Sequence, residues 1–185
     1  MTEPSLPDKL LAIDAAFSRA RISHAFGGAI ALGYYAEPRA TIDIDCNVFG
    51  GVDDRGRVLR ALGGIGVAVP ADDPTLVRDG QARYWWGRTP VDLFFAHDPF
   101  HGAMARGVRR VPFRDAMIDV LGPEHLVVCK AVFDRRKDWL DIEQVLVGVG
   151  AFRADEVRRW LPRIVGTDDP RVERFEALCS TLLEP

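Results

Sequence analysis

Residues 24–45 read HAFGGAIALGYYAEPRATIDID, and they carry the most informative fold signals in the chain. It begins with a short apolar segment that predicts a strand and then turns at Gly27-Gly28. A helix is predicted over residues 29–36, and Pro38 ends it because the residue before a proline avoids the helical region. The stretch therefore predicts a strand, a glycine turn and a helix whose free N–H groups suit polyphosphate. An ordinary turn is the alternative.

The next segment, residues 40–49 (ATIDIDCNVF), alternates polar and apolar side chains, which predicts a strand. Asp43 and Asp45 would share one face of that strand, and Cys46 would face the core. Two carboxylates held so close repel each other unless a cation lies between them. The pair therefore indicates a metal site, with a solvated strand face as the alternative.

A third carboxylate stands in residues 90–95 (PVDLFF), a second predicted strand that is otherwise apolar. Asp92 needs a partner there, because an unpaired charge among apolar side chains is costly. If the two strands are neighbours, Asp92 joins the Asp pair, and oxygen-only ligands favour Mg²⁺ or Mn²⁺. Two such ions are the usual device for phosphoryl displacement. The alternative is that Asp92 caps a turn or pairs with Arg83 or Arg88.

The pattern of predicted secondary structure in the rest of the chain changes near residue 121. Before it, further helices are predicted at 8–21, 53–62 and 98–106, and further strands at 82–86, 108–113 and 117–120. After it, only helices are predicted, at 123–134, 137–148, 154–164 and 170–183. We therefore expect an α+β fold, with a small mixed sheet of about five strands flanked by helices and a C-terminal helical bundle. The expected domains are 1–121 and 122–185.

A lysine in the helical half is unusual, because the 24 Lys and Arg residues include only three lysines. Lys130 lies in LVVCKAVF, so its ammonium either reaches water or meets a negative partner. On one helical screw, Lys130 would align with Asp134, Lys137, Asp138 and Asp141 as a single stripe. A solvated stripe is the alternative.

The segments GGAIAL (27–32) and RATIDID (39–45) resemble the core of the polymerase-β-like nucleotidyltransferase superfamily. More narrowly, they look like the AbiEii-type toxins of bacterial abortive-infection and toxin–antitoxin systems, which include the mycobacterial MenT toxins. The resemblance extends over about residues 22–145. One departure is Gly28, where many members carry serine and would offer its hydroxyl to a phosphate oxygen.

The resemblance implies the nucleotidyltransferase fold and an enzyme that moves a nucleoside monophosphate from an NTP to an acceptor, the 3′ end of tRNA. It also implies a cognate antitoxin. The metal ligands would be Asp43, Asp45 and Asp92. Nucleotide contacts would come from the turn and from basic or hydroxyl side chains: Gly27, Gly28, Arg39, Thr41, Lys130 and Arg136, or Arg135 in place of Arg136. Asp138 would orient Lys130 or a neighbouring arginine.

Two other functions remain open at this stage. One is an adenylyltransferase of the aminoglycoside-modifying kind, with the same chemistry and a small-molecule acceptor. The other is a non-catalytic nucleotide-binding module on a degenerate transferase fold, which the missing serine suggests.

Composition limits the classes of protein and the cellular compartments that fit this chain. The net charge of −3 argues against a protein that is basic all over. No apolar run approaches the ~18 residues that a membrane span needs. No signal peptide is evident, and three scattered cysteines fit a reducing cytoplasm. His97 and His101 have a metal-like spacing, but no third ligand is evident, so zinc is not predicted.

Overall fold

The computed structural model describes residues 3–183 and divides into two compact units. The first unit contains the residues up to Ile30 together with Ala40–Val120. The second contains Ala31–Arg39 and the residues from Leu121 onward. None of the described helices has the length and apolar character that crossing a bilayer requires.

The first unit is built on a mixed sheet whose six described strands follow the order β3-β4-β2-β1-β6-β5. The β2–β4 and β1–β6 pairs are parallel, and the other neighbours are antiparallel. The strands are β1 (His24–Phe26), β2 (Ile44–Val48), β3 (Gln81–Trp86), β4 (Thr89–Phe95), β5 (Arg109–Phe113) and β6 (Ala116–Val120). The prediction of a small mixed sheet is confirmed, and each of the six strands corresponds to a predicted strand segment, although the expected total was about five.

The helices of this unit are α1 (Leu6–Arg19), α2 (Gly28–Leu32, whose last two residues belong to the second unit), α3 (Arg55–Gly63), α4 (Pro74–Asp79) and α5 (Pro99–Arg106). Helix α4 was not predicted from the sequence. Its signals are local: the Asp73 side chain caps the helix by accepting from two backbone N–H groups, and Gly80 ends it in the left-handed conformation.

Strand β4 shows why this sheet forms. Its alternate side chains Val91, Leu93 and Phe95 are completely buried, whereas Asp92 and Phe94 on the other face are partly exposed. Burying an apolar side chain of this size contributes roughly 1.5–3 kcal/mol, and a one-residue slip would expose all three. The register that places Asp92 is therefore fixed by its apolar neighbours.

Two predicted elements are shorter than expected. Strand β2 begins at Ile44, not at residue 40, and Ile42 is 70% exposed. The Thr41 hydroxyl accepts a hydrogen bond from the backbone N–H of Asp43 at 3.2 Å, and this local turn takes the place of strand pairing. Helix α2 ends at Leu32, so the prediction of a helix over residues 29–36 was wrong for its second half.

The second unit contains the helices α6 (Pro123–Phe133), α7 (Arg136–Gly148), α8 (Ala154–Val165) and α9 (Pro170–Leu182). They pack around a core that includes Trp139, Ile142 and Phe175. The segment Ala31–Arg39 belongs to this unit, and the Tyr35 hydroxyl donates to the Leu121 carbonyl at 2.7 Å.

The predicted stripe on one helical screw was wrong. Asp134 ends α6 in the left-handed conformation, with φ of 55°, and α7 begins two residues later. The chain therefore changes direction between Lys130 and Asp141. Lys130 and Asp141 are in contact because helices α6 and α7 pack against each other, and not because the two residues share one helical face.

Candidate active site

Two of the predicted metal ligands lie side by side in the first unit. Strands β2 and β4 are parallel neighbours, and their register pairs Asp45 with Asp92. Paired residues on adjacent strands point to the same face and lie about 4.8 Å apart. Both carboxylates therefore project from one face of the sheet.

Arg83 has both Asp92 and Asp43 as neighbours. Its guanidinium donates to both carboxylate oxygens of Asp92, each at 2.7 Å, and its Nη2 lies 3.8 Å from Asp43 Oδ2. The hydrogen bond to Asp92 raises the pKa of Arg83, and the nearby charges of Asp43 and Asp45 act in the same direction. The three carboxylates therefore share one electrostatic environment, and the alternative pairing of Asp92 with Arg83 is also present.

The chemistry of this donor set fits a hard divalent cation. All three ligand candidates offer carboxylate oxygens, which suits Mg²⁺ or Mn²⁺ better than zinc. The Asp43 side chain is 37% exposed and the Asp92 side chain 14%, so the group is open to solvent. Cys46 points the other way, is fully buried, and has a thiol pKa raised by burial first and by Asp45 and Asp92 next, so it stays protonated at neutral pH.

The glycine turn is built against this group. The Gly27 N–H donates to the Asp45 carbonyl at 2.9 Å. Gly28 has φ of +53°, and a Cβ there would lie only 1.8 Å from Asp45 Oδ2. A serine at position 28 would therefore displace Asp45, which gives a physical reason for glycine here. Helix α2 has only five residues, and the phosphate-binding role of the turn stays a prediction.

Lys130 lies in the second unit and is 4% exposed. Its ammonium donates to Asp141 Oδ2 at 2.6 Å and lies 3.8 Å from Asp138 Oδ1, so it meets negative partners instead of reaching water. Arg39 donates to the same Asp141 oxygen at 3.2 Å. The structure thus brings two predicted nucleotide ligands together around a carboxylate that the predicted site did not include.

Asp138 is completely buried and binds mainly Arg135, whose Nε and Nη2 donate to its two oxygens at 2.6 and 3.1 Å. Asp138 was predicted to orient Lys130 or a neighbouring arginine, and Arg135 is its nearest basic partner. Arg136 is exposed at the first position of α7. Asp141 had been placed on the same predicted stripe as Lys130, but it was not among the predicted site residues.

Comparisons of sequence give no relative, since neither a protein-family profile nor a characterised protein sequence matches the chain significantly. Solved structures do match. The antibiotic-resistance factor ANT(2″)-Ia aligns with a TM-score of 0.63 and 15% identity over 96% of both chains. The lincosamide antibiotic adenylyltransferase LnuA, in a lincomycin-bound structure, aligns with a TM-score of 0.56 and 13% identity over 78% of this chain and 98% of its own.

A third similar structure is an antigenic nucleotidyltransferase-like protein from Paracoccidioides brasiliensis, with a TM-score of 0.51 and 16% identity over 96% of both chains. At these identities the likeness concerns the fold. The expected fold class is confirmed: the chain has the mixed α/β architecture of the nucleotidyltransferases.

Proposed function

We propose that this protein is a metal-dependent nucleotidyltransferase. The observation that carries the proposal is the pairing of Asp45 with Asp92 on adjacent parallel strands, beside a glycine turn, with Arg83 bound to Asp92 and 3.8 Å from Asp43. An acceptor hydroxyl would attack the α-phosphorus of an NTP. The bond from that phosphorus to the bridging oxygen would break, pyrophosphate would leave, and the hydroxyl proton would pass to Asp92.

In this proposal the three carboxylates hold Mg²⁺ or Mn²⁺. When bound, the ions would neutralise phosphate charge and favour the deprotonated acceptor oxygen. The protein's own contribution is position: the parallel register fixes Asp45 against Asp92, and Gly28 lets the Asp45 side chain approach the turn. Arg83 remains protonated and offers a positive charge to the same face.

The second unit would supply phosphate contacts through Lys130, as the resemblance to AbiEii-type toxins implies. Asp141 and Asp138 hold the ammonium in a buried position, which fixes its direction before any ligand arrives. Arg39 and Arg136 are the further candidates for phosphate binding, and Gly27 and Thr41 are those near the carboxylates.

For the acceptor, the same resemblance proposes the 3′ end of tRNA and, with it, the role of a toxin restrained by an antitoxin. One feature of the first unit supports a polynucleotide. Arg109 and Arg110 are both exposed on the edge strand β5, where they could follow a phosphodiester backbone.

A small cationic acceptor is the second candidate, and a cavity in the second unit favours it. This cavity, about 650 Å³ in volume, is lined in part by Tyr34, Tyr35, Glu37 and Glu143. Its size is in the usual range for small-molecule sites. Two carboxylates with two tyrosines suit an amino sugar or another cation and repel a phosphate chain. In addition, one of the similar structures is an antibiotic-resistance factor and another is a lincosamide antibiotic adenylyltransferase.

One experiment tests the activity and separates the acceptors. The purified chain is incubated with Mg²⁺ and each α-³²P-labelled NTP, with total tRNA, an aminoglycoside panel or a lincosamide as acceptor. Transfer is expected in wild type and absent in Asp45→Asn; equal activity in that variant would remove the metal assignment. The double variant Arg109→Ala/Arg110→Ala should impair tRNA labelling alone, and Glu37→Gln/Glu143→Gln should impair drug labelling alone.

The non-catalytic module is the third candidate. Calorimetry with Mg²⁺ and each NTP distinguishes it, because a module would bind nucleotide without labelling any acceptor. The retention of all three carboxylates and of Lys130 argues for turnover.

A further inference from the structure

A second group of metal-ligand side chains follows β4 in the first unit. His97, Asp98 and His101 each offer one ligand atom within 4.8 Å of the other two. They occupy the connection between β4 and the first turn of α5. His97 lies five residues beyond Asp92, which corresponds to about 16 Å along an extended strand. The group is therefore separate from the candidate active site.

The distances within the group match one tetrahedral ion. Asp98 Oδ1 lies 2.9 Å from His101 Nδ1, and Asp98 Oδ2 lies 3.5 Å from His97 Nε2. Ligands placed 2.0–2.2 Å from a tetrahedral zinc ion are separated from one another by about 3.4 Å. Small side-chain rotations therefore suffice to bring the three donors onto one ion.

Hydrogen bonds to the backbone orient two of the donors. His97 Nδ1 lies 3.1 Å from the Phe95 carbonyl, so a proton on Nδ1 satisfies that carbonyl and leaves the Nε2 lone pair facing Asp98. Asp98 Oδ1 accepts from the backbone N–H groups of Phe100 and His101 at 2.8 and 3.3 Å. Such outer contacts are typical of metal-binding histidines and carboxylates.

We propose that His97, Asp98 and His101 form a binding site for a divalent ion of the zinc class. Two imidazole nitrogens and one carboxylate oxygen suit Zn²⁺ and not Mg²⁺. The His97 side chain is 62% exposed, so a fourth position is open to water, whereas His101 is largely buried. A bound ion joins the end of β4 to the start of α5. The expectation from sequence that a third ligand is missing was wrong, because Asp98 had been regarded only as the start of a helix.

Residue-specific NMR tests the site directly. The chain contains four histidines, so ¹⁵N-labelled rings give four sets of signals, with His24 and His125 as internal controls. On titration with ZnCl₂ we expect the ring nitrogens of His97 and His101 to shift and those of the two controls to stay. MgCl₂ at the same concentrations should shift none of the four.

Variants measure the affinity, with competition against a chromophoric zinc chelator as the readout. His97→Ala removes an exposed ligand and should weaken Zn²⁺ binding by about 10-fold or more. Removing a residue that only supports a metal ligand already weakens metal affinity by that much. Asp98→Asn keeps the helix cap, since asparagine caps as well as aspartate, and should weaken binding similarly. Asp73→Asn, the equivalent cap of α4, is the matched control and should bind as wild type.

Zinc binding that leaves the His97 and His101 signals unchanged would overturn the proposal, as would His97→Ala and Asp98→Asn variants of undiminished affinity. The absence of any zinc binding would show that Asp98 and His101 form a helix cap alone. None of these results depends on nucleotidyl transfer, so the two proposals fail or stand separately.

Discussion

At Gly28 the geometry of the candidate active site leaves no room for a side chain. Its positive φ and its contact with the Asp45 carboxylate both exclude a side chain. Glycine at this position, where the resemblance led us to expect serine, therefore has a structural reason within this chain.

Gly28→Ala is expected to disturb Asp45 and to cost roughly 1–2 kcal/mol for the left-handed backbone alone. Thermal unfolding measures the stability, and Mg²⁺ titration measures the site. Gly150→Ala is the matched control, because a Cβ there meets nothing within 4 Å. Equal Mg²⁺ affinity in Gly28→Ala and wild type would contradict the close approach described here.

At the scale of elements, helices α6 and α7 hold a buried ionic group formed by Lys130, Asp138 and Asp141. The three side chains are 5%, 0% and 6% exposed. A buried ion pair adds little net stability compared with apolar residues, yet the loss of one partner is costly. This group should therefore add little net stability, although the loss of any one member should be costly.

Lys130→Met should destabilise the protein by about 3 kcal/mol, the lower end of the range for a broken buried pair. The lower end applies because Arg39 still contacts Asp141. Denaturant unfolding gives the value, and Lys137→Met, at an exposed lysine on α7, should be nearly neutral. A loss below about 1 kcal/mol would mean that Lys130 reaches water.

A second element-scale prediction concerns pH and the packing of α6 on α8. Burial lowers the pKa of His125 from 6.5, although Glu156 and Glu124 act in the opposite direction and Arg153 reinforces the decrease. The unfolded chain therefore takes up a proton before the folded one as the pH falls. Stability should decrease as the pH is lowered from 7 through about 6.5 and below.

His125→Gln should make the stability of the protein less dependent on pH in that window, as measured by unfolding at pH 7 and at pH 5.5. Burial also lowers the pKa of His101, so part of the pH dependence should remain. Identical pH profiles for variant and wild type would contradict the effect of burial on His125.

At the scale of the whole molecule, repulsion among Asp43, Asp45 and Asp92 connects metal binding to stability. An ion that binds only the folded state stabilises it by about 2.7 kcal/mol at 100 times its dissociation constant. For a chain of this length that corresponds to a rise in Tm of about 5–10 °C. Calorimetry with increasing MgCl₂ should show this rise in wild type and not in Asp45→Asn. A wild-type Tm independent of Mg²⁺ would count against the site.

Local sequence was enough to predict most of the strands and helices, because each apolar face had the period of its element. It also singled out Asp92, since a charge inside an apolar strand such as residues 90–95 stands out, and the structure pairs Asp92 with Asp45. It did not predict α4, whose six residues are too few to show a period. Asp98 was not recognised from the sequence as a candidate ligand, because its position at the start of a predicted helix accounted for it already.

Two features follow from the amino-acid sequence alone: Asp92 and Lys130 carry charge into apolar surroundings, and strands give way to helices near residue 121. The partners of these two charges do not follow from it. Pairing between strands placed Asp45 beside Asp92, and the turn after α6 brought Asp141 to Lys130. The physical reason is that periodicity describes one element at a time, whereas hydrogen-bond register and helix packing join residues that are distant along the chain.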